Sequence, residues 1–218
     1  MEDSTPKPFV PVHFAVLTVS DTRSLEEDRS GGTLVDRITA AGHVLADRAI
    51  VTDDAKKIRK AVKRWIADPN VDVVITTGGT GFTGRDVTPD AVEPLFDKRM
   101  DGFSVVFHNV SFGHIGTSTV QSRASAGLAG TTFIFCLPGS PGACRDAWDA
   151  ILSKQFDYRQ NPCNFVEIMP RLDEHLKRSK LKKAKSKAKT KAKAKAKAKS
   201  TGKAQATASE PPPQVGEN

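Results

Sequence analysis

Gly78, Gly79, Gly81 and Gly84 fall within seven residues, followed at once by a guanidinium and a carboxylate, Arg85 and Asp86. Glycine accepts positive φ and leaves no side chain in the way, so such a run can turn its N–H groups toward a bound anion. The spacing Gly79-x-Gly81-x-x-Gly84 matches a dinucleotide fingerprint, but in that fingerprint the helix opens at the glycines. Here Thr88 reads as an N-cap, with Pro89 at the first helical position and Asp90 in the first turn. A residue before proline avoids the α region, so the turn is several residues too long for that fingerprint. A P-loop is excluded because no Gly-Lys-Ser/Thr follows the glycines. Alone, the glycines read as an ordinary turn; with Arg-Asp and Thr-Pro-Asp they read as a longer phosphate cradle.

Other polar groups cluster at the ends of apolar runs. Ser20, Asp21, Thr22 and Arg23 follow Phe14–Val19, either as a capped turn or at the carboxyl edge where open α/β sheets bind ligands. Asp53 and Asp54 follow the weaker run Val44–Val51; one acid there is expected as an N-cap, whereas two are of interest if they face Asp86. Pro138-Gly139-Ser140-Pro141-Gly142 follows Thr131–Leu137 and repeats the design of strand, glycine turn and helix start, a ready anion site. Arg85 either balances charge in the cradle or lies on a solvated loop. His108 and His114 have no second ligand at metal spacing and read as structural.

The elements that must position these groups alternate. Val71, Val73, Val74 and Ile75 form a β-branched run suited to a strand buried on both faces. A helix with Leu34, Ile38 and Ala41 on one face follows the Glu26–Gly32 loop, with Ser30 as a possible cap and Gly42 as its stop. A second helix, from Ala55 to about Ala67, turns Ile58, Val62 and Trp65 inward; Trp148 is likewise read as core. Gly102–Phe112 carries more apolar residues than one face needs, for a core or a subunit contact. The pattern predicts a three-layer α/β/α sandwich with a mostly parallel central sheet. Residues 1–11 read as an extended arm, 12–170 as the domain, and 171–218 as a disordered Lys/Ala-rich tail.

The net charge of +8 belongs to the tail: 14 Lys and Arg lie in residues 177–203, leaving 19 basic against 23 acidic residues in 1–176. Basicity therefore says nothing about the domain's ligand. It leaves nonspecific nucleic-acid contact by the tail as a subordinate reading. Three cysteines at uneven spacing argue against a disulfide framework or a zinc site, and suit a reducing compartment. An acid pair at the start and the lack of a long apolar run predict a soluble, cytoplasmic protein without a membrane anchor.

The stretch TTGGTGFTGRDVTPD, with Glu93-Pro94-Leu95-Phe96-Asp97 and Gly102-Phe103, resembles the molybdopterin-binding domain of molybdenum cofactor biosynthesis proteins, a family that includes molybdopterin adenylyltransferases. The resemblance runs from about Phe9 to Phe165. It implies molybdopterin as substrate and ATP with Mg²⁺ as co-reactant, and catalytic and metal-holding roles for Asp53 and Asp86. Joining a phosphomonoester to the α-phosphate of ATP gathers negative charge, which two carboxylates and a divalent ion can manage. For substrate binding, the resemblance and the residue reading together nominate Ser20, Asp21, Asp28, Ser30, Gly31, Thr77, Gly78, Gly79, Thr80, Gly81, Arg85, Ser122, Arg123, Pro138, Gly139 and Ser140. The resemblance further implies a homotrimer or homohexamer working with other proteins of the pathway. It also allows a member that binds the pterin without transferring anything. Thr52 stands where the family often has proline.

Overall fold

The computed structural model describes residues 6–174, and a compact unit ends at Leu172. The basic tail from Lys177 onward lies outside the described residues. So do the first five residues of the expected arm; the remainder of the arm has no regular structure, and Phe9 lays its ring against His43 with centroids 5.1 Å apart.

Six strands form one sheet in the order β2-β1-β3-β6-β5-β4. They are β1 (His13–Val19), β2 (Val44–Val51), β3 (Val73–Thr77), β4 (Lys98–Arg99), β5 (Ser125–Ala129) and β6 (Thr132–Leu137). β1 pairs in parallel with β2 and β3, and β3 in parallel with β6; β5 runs antiparallel to both of its neighbours. The chain steps from β1 outward to β2, then returns across β1 to β3. That reversal between β1 and β3 opens a crevice beyond the carboxyl ends of the strands, the usual ligand position in open α/β sheets.

Both faces of the sheet are covered, which explains the near-continuous apolar strands. On one face Phe14, Val16, Val73, Ile75, Phe133 and Phe135 pack under helices α1 (Arg29–Ala40), α4 (Asp101–Ile115) and α5 (Pro141–Ala147). On the other face Ala15, Leu17, Val74, Ile134 and Cys136 meet α2 (Ala55–Ile66) and the short α3 (Thr88–Val92). The expected three-layer α/β/α sandwich is present. Trp65 and Trp148 are both buried, one on each side.

Several local expectations change. β5 is not among the expected strands: its Ser-Ala-Gly-Leu-Ala run has no β-branched residue, and at Gly127 a Cβ would lie 2.4 Å from the Phe96 ring. Ser30 does not cap α1. Asp28 does, accepting from the Gly31 N–H at 2.9 Å, and Ser30 lies inside the first turn. Thr88 is not a cap either; Val87 occupies the position, and the Thr88 hydroxyl is buried. Asp54, rather than Asp53, caps α2, accepting from the Lys56 and Lys57 N–H groups. This leaves Asp53 free of a helical duty.

α4 divides the apolar surplus of Gly102–Phe112. Phe103 and Phe107 enter the core, while Val105, Phe112 and Ile115 are exposed. Among the described residues no helix is long and apolar enough to cross a membrane. The three cysteines are unpaired, and burial pushes the Cys136 and Cys144 thiols up to about 11, so neither is a ready nucleophile.

Candidate functional site

A polar cavity of about 360 Å³ opens at the carboxyl ends of the parallel strands. β1 delivers Val19 through Arg23, the turn after β2 delivers Asp53, β3 delivers Gly78 and Gly79, and β6 delivers Gly139. Arg85 and Asp86 close the remaining wall. The two glycine turns adjoin each other: the Gly78 N–H donates to the Leu137 carbonyl at 3.0 Å, and a Cβ on Gly139 would lie 3.1 Å from the Gly78 Cα.

The backbone explains the glycines. Gly78 and Gly79 hold φ of 104° and 65°, in the left-handed region that other residues avoid. A Cβ on Gly79 would lie 2.5 Å from the Thr88 Oγ1 and 3.2 Å from Asp53 Oδ1; one on Gly81 would lie 2.8 Å from Asp86 Oδ2. Both carboxylates thus stand directly over the turn, where only glycine leaves room for them. Gly78 spends its N–H on the Leu137 carbonyl and does not offer it to an anion. The Gly79 and Thr80 amides have no protein acceptor among the described residues.

The two acids differ in environment. Asp86 accepts from the Thr83 N–H and hydroxyl at 2.9 and 2.6 Å. The Thr83 hydroxyl is the main cause holding this carboxyl below its ordinary range; partial burial opposes it, and the Thr83 and Gly81 amides and Arg123 assist. Asp53 is pushed the other way, first by burial and then by the charge of Asp86. A cation between them would relieve that repulsion. Among the described residues no cluster of three such ligands exists, so any metal here would complete its shell with phosphate and water oxygens, as Mg²⁺ commonly does. The Thr88 Oγ1 is buried beside Gly79 without a hydrogen-bond partner among the described residues.

The other nominated residues fall into three groups. Ser20 and Asp21 line the cavity: the Ser20 Oγ accepts from the Thr22 and Arg23 N–H groups, and Asp21 accepts from the Asp53 N–H at 3.1 Å. Arg85 pairs with Asp21 and its side chain is 70% exposed, which joins the two alternatives left open for it.

Asp28, Ser30 and Gly31 form a buried support behind the cavity. Asp28 accepts from the Thr18 hydroxyl at 2.6 Å, from the Ser30 hydroxyl at 3.1 Å and from Arg48 at 2.9 Å. Gly31 is glycine because a Cβ would stand 2.1 Å from Asp28 Oδ2.

Thr77, Thr80, Pro138, Ser140, Ser122 and Arg123 brace the loops. Thr77 donates to the Pro138 carbonyl at 2.9 Å, and the Ser140 Oγ accepts from the Ala143 N–H as the cap of α5. The Thr80 and Ser122 hydroxyls meet at 3.2 Å. Arg123 holds the glycine loop from outside, donating to the carbonyls of Gly81 and Asp86 and pairing with Asp90. Its guanidinium is therefore fully engaged with protein rather than offered to a ligand. His108 and His114 are also tied to protein groups, through Ser104 and Ser122 carbonyls and through Asp146.

Sequence reading passed over Thr18, Arg48 and Thr83, which act through Asp28 and Asp86. No motif announces them; only the tertiary contacts do. Burial raises the Asp28 pKa, but the bonds from Thr18, Gly31, Arg48 and Ser30 more than offset it and the net shift is downward. A lowered carboxyl pKa stabilises the fold above the unfolded value of 3.8, and that stability is lost as pH falls through the folded value. Asp28→Ala, which leaves the Arg48 charge against a buried pocket, is expected to cost about 3 kcal/mol at pH 7, seen as a Tm lower by about 6–12 °C. As pH falls below 3.8 and through the lowered folded value the gap between the two proteins should narrow in thermal melts; a variant as stable as the parent at pH 7 would contradict this.

A second cavity, about 500 Å³ and mostly apolar, lies between α4 and the segment through Phe165. Its lining has Lys154 but no carboxylate, so it cannot assemble anions around a metal.

Glycine turns, paired acids and a switch-point crevice meet at one edge of a mostly parallel α/β domain. Residues 15–158 match the family model described as a probable molybdopterin binding domain. Molybdenum cofactor biosynthesis protein B of Escherichia coli (strain K12) is 51% identical over 157 residues, covering 72% of this chain and 92% of that protein. A crystal structure of a molybdenum cofactor biosynthesis protein B superposes with a TM-score of 0.68 at 37% identity, covering 78% of this chain and 99% of that one. The tungsten cofactor synthesizing protein MoaB from Pyrococcus furiosus gives 0.61 at 36% identity, covering 67% and 93%. The chain belongs to the molybdopterin-binding domain family of molybdenum cofactor biosynthesis proteins.

Proposed function

We propose that this chain binds molybdopterin and adenylylates it with Mg-ATP, releasing pyrophosphate. The observation that carries the reading is the pair Asp53 and Asp86 standing over Gly79 and Gly81, with ionised Asp53 disfavoured by burial and then by its neighbour and supplied with no side-chain donor. A site arranged only to bind an anion gains nothing from two crowded carboxylates; a site that receives a cation together with phosphates does.

In the reaction, a phosphate oxygen of the pterin attacks the α-phosphorus of ATP, and the bond to the bridging oxygen of the β-phosphate breaks. Asp53 and Asp86 are the residues that would hold Mg²⁺, which would supply charge neutralisation for this step. The chain's own part is positional. The free Gly79 and Thr80 amides hold a phosphate oxygen, Thr83 keeps Asp86 ionised and aimed, and Arg123 keeps the loop closed around both.

The test is incubation with molybdopterin and Mg-ATP while measuring pyrophosphate and adenylylated product. Stoichiometric pyrophosphate that depends on molybdopterin supports transfer. Tight molybdopterin binding without pyrophosphate would leave a pterin-binding member of the pathway instead.

The same reading places the protein in the cytoplasm with other proteins of the pathway, as a homotrimer or homohexamer. Exposed Val105, Phe112, Ile115 and Val120 support assembly, since apolar side chains on one surface favour burial against another copy. Sedimentation velocity showing a monomer at micromolar concentration would remove that part.

A further inference from the structure

We propose that Arg23 receives the phosphate monoester of the substrate and makes the site selective for a phosphorylated over a dephosphorylated heterocycle; this rests on the reading just given.

Two guanidinium groups line the cavity, and only one is available. Arg85 is paired with Asp21, whose other oxygen is held by the Asp53 N–H. Arg23 has no carboxylate within 4.0 Å among the described residues. Its Nη1 reaches only two neutral oxygens, the Ser30 Oγ and the Gly139 carbonyl, each at 3.4 Å. Contacts that long leave the charge largely unsatisfied.

The perch is nonetheless built. Ser30 is fully buried and bonded to Asp28, which is itself fixed by Thr18 and Arg48. The Arg23 backbone is held by the Ser20 Oγ at 3.3 Å.

The position matters as much as the charge. The acids stand over Gly79 and Gly81, while Gly139, which Arg23 touches, abuts Gly78. The floor of the cavity therefore runs from an acidic end to a cationic end. A nucleotide with its metal suits the acidic end, and a metal-free phosphate monoester suits the arginine. Bonds from an ionised donor to a phosphate are about twice as strong as neutral ones. Losing one is expected to weaken binding by about 10–100-fold.

The test compares the full chain with Arg23→Ala and Arg23→Lys in steady-state kinetics. The expected result for Arg23→Ala is a KM for molybdopterin raised about 10–100-fold, with the KM for ATP within about twofold and kcat within a few-fold. Arg23→Lys should recover part of the loss, and it carries the comparison if the alanine variant is poorly folded. Titration with the dephosphorylated pterin should give the same affinity for parent and variants. An unchanged KM for molybdopterin, or a shift in the ATP constant instead, would overturn the assignment while leaving transfer intact. A parent protein that neither binds nor converts molybdopterin would bring down both.

Discussion

Asp86→Asn is expected to lower pyrophosphate release by about 10²–10³-fold, the usual cost of losing one group aimed at developing charge. The fall should appear in kcat more than in the KM for molybdopterin. Asparagine can still accept from the Thr83 N–H and hydroxyl, so most of the support of the loop remains when the charge is lost. In the ligand-free protein two effects oppose each other. Asp53 is raised above its ordinary value of 3.8 by burial and by Asp86, so its ionisation costs stability once pH exceeds the unfolded value, and removing the Asp86 charge relieves part of that cost. Asp86 itself is held below its ordinary value, chiefly by Thr83, so its ionised form stabilises the fold above the unfolded value and asparagine forfeits that contribution. Tm at pH 7 should therefore change by less than about 3 °C. An inactive variant that melts close to the parent would mark the acid pair as held in place for function. A variant with full activity would remove Asp86 from the mechanism.

Gly78→Ala is expected to damage the fold and the site together. Its φ of 104° lies where an L side chain is strained, at about 1–2 kcal/mol. The new Cβ would lie 2.3 Å from the Val19 carbonyl oxygen, a backbone atom at the end of a central strand that cannot swing aside. Together these should cost about 3 kcal/mol and lower Tm by about 6–12 °C, with activity lost even below the melting range. Gly84→Ala is the matched control: nothing lies within 4 Å of its Cβ and its φ is unremarkable, so stability should change by less than about 0.5 kcal/mol. Equal melting curves for the two variants would contradict the close approach of β1 to the glycine turn.

These two predictions draw on the part of the molecule that was most legible in the sequence. A buried parallel strand announces itself as a β-branched run: Val71, Val73, Val74 and Ile75 mark β3, which the structure sets at Val73–Thr77, while the weaker Val44–Val51 run matches β2, an edge strand with no fully buried residue. The glycine turns and the acids are legible because only a few residue types can occupy such positions. Where a polar residue answers to tertiary contacts, the pattern fails. Thr88 has the composition of a cap, but the close pass of Gly79 buries its hydroxyl. Ser30 looks like a cap because Asp28, two residues earlier, has the same chemistry and wins the position. Arg123 looks like a ligand group, yet two carbonyls and Asp90 claim its guanidinium. β5 hides in part because Gly127 answers to the Phe96 ring and not to strand propensity.

The acid pair and both glycine turns belong to one rim, and a crystal structure with molybdopterin, Mg²⁺ and a non-hydrolysable ATP analogue tests that claim most directly. The predicted density has the phosphates of both ligands between the Gly79–Gly81 turn and Gly139, with the ion touching Asp53 and Asp86. Ligand density confined to the apolar cavity beside Phe103 and Phe165, with the acids untouched, would contradict it.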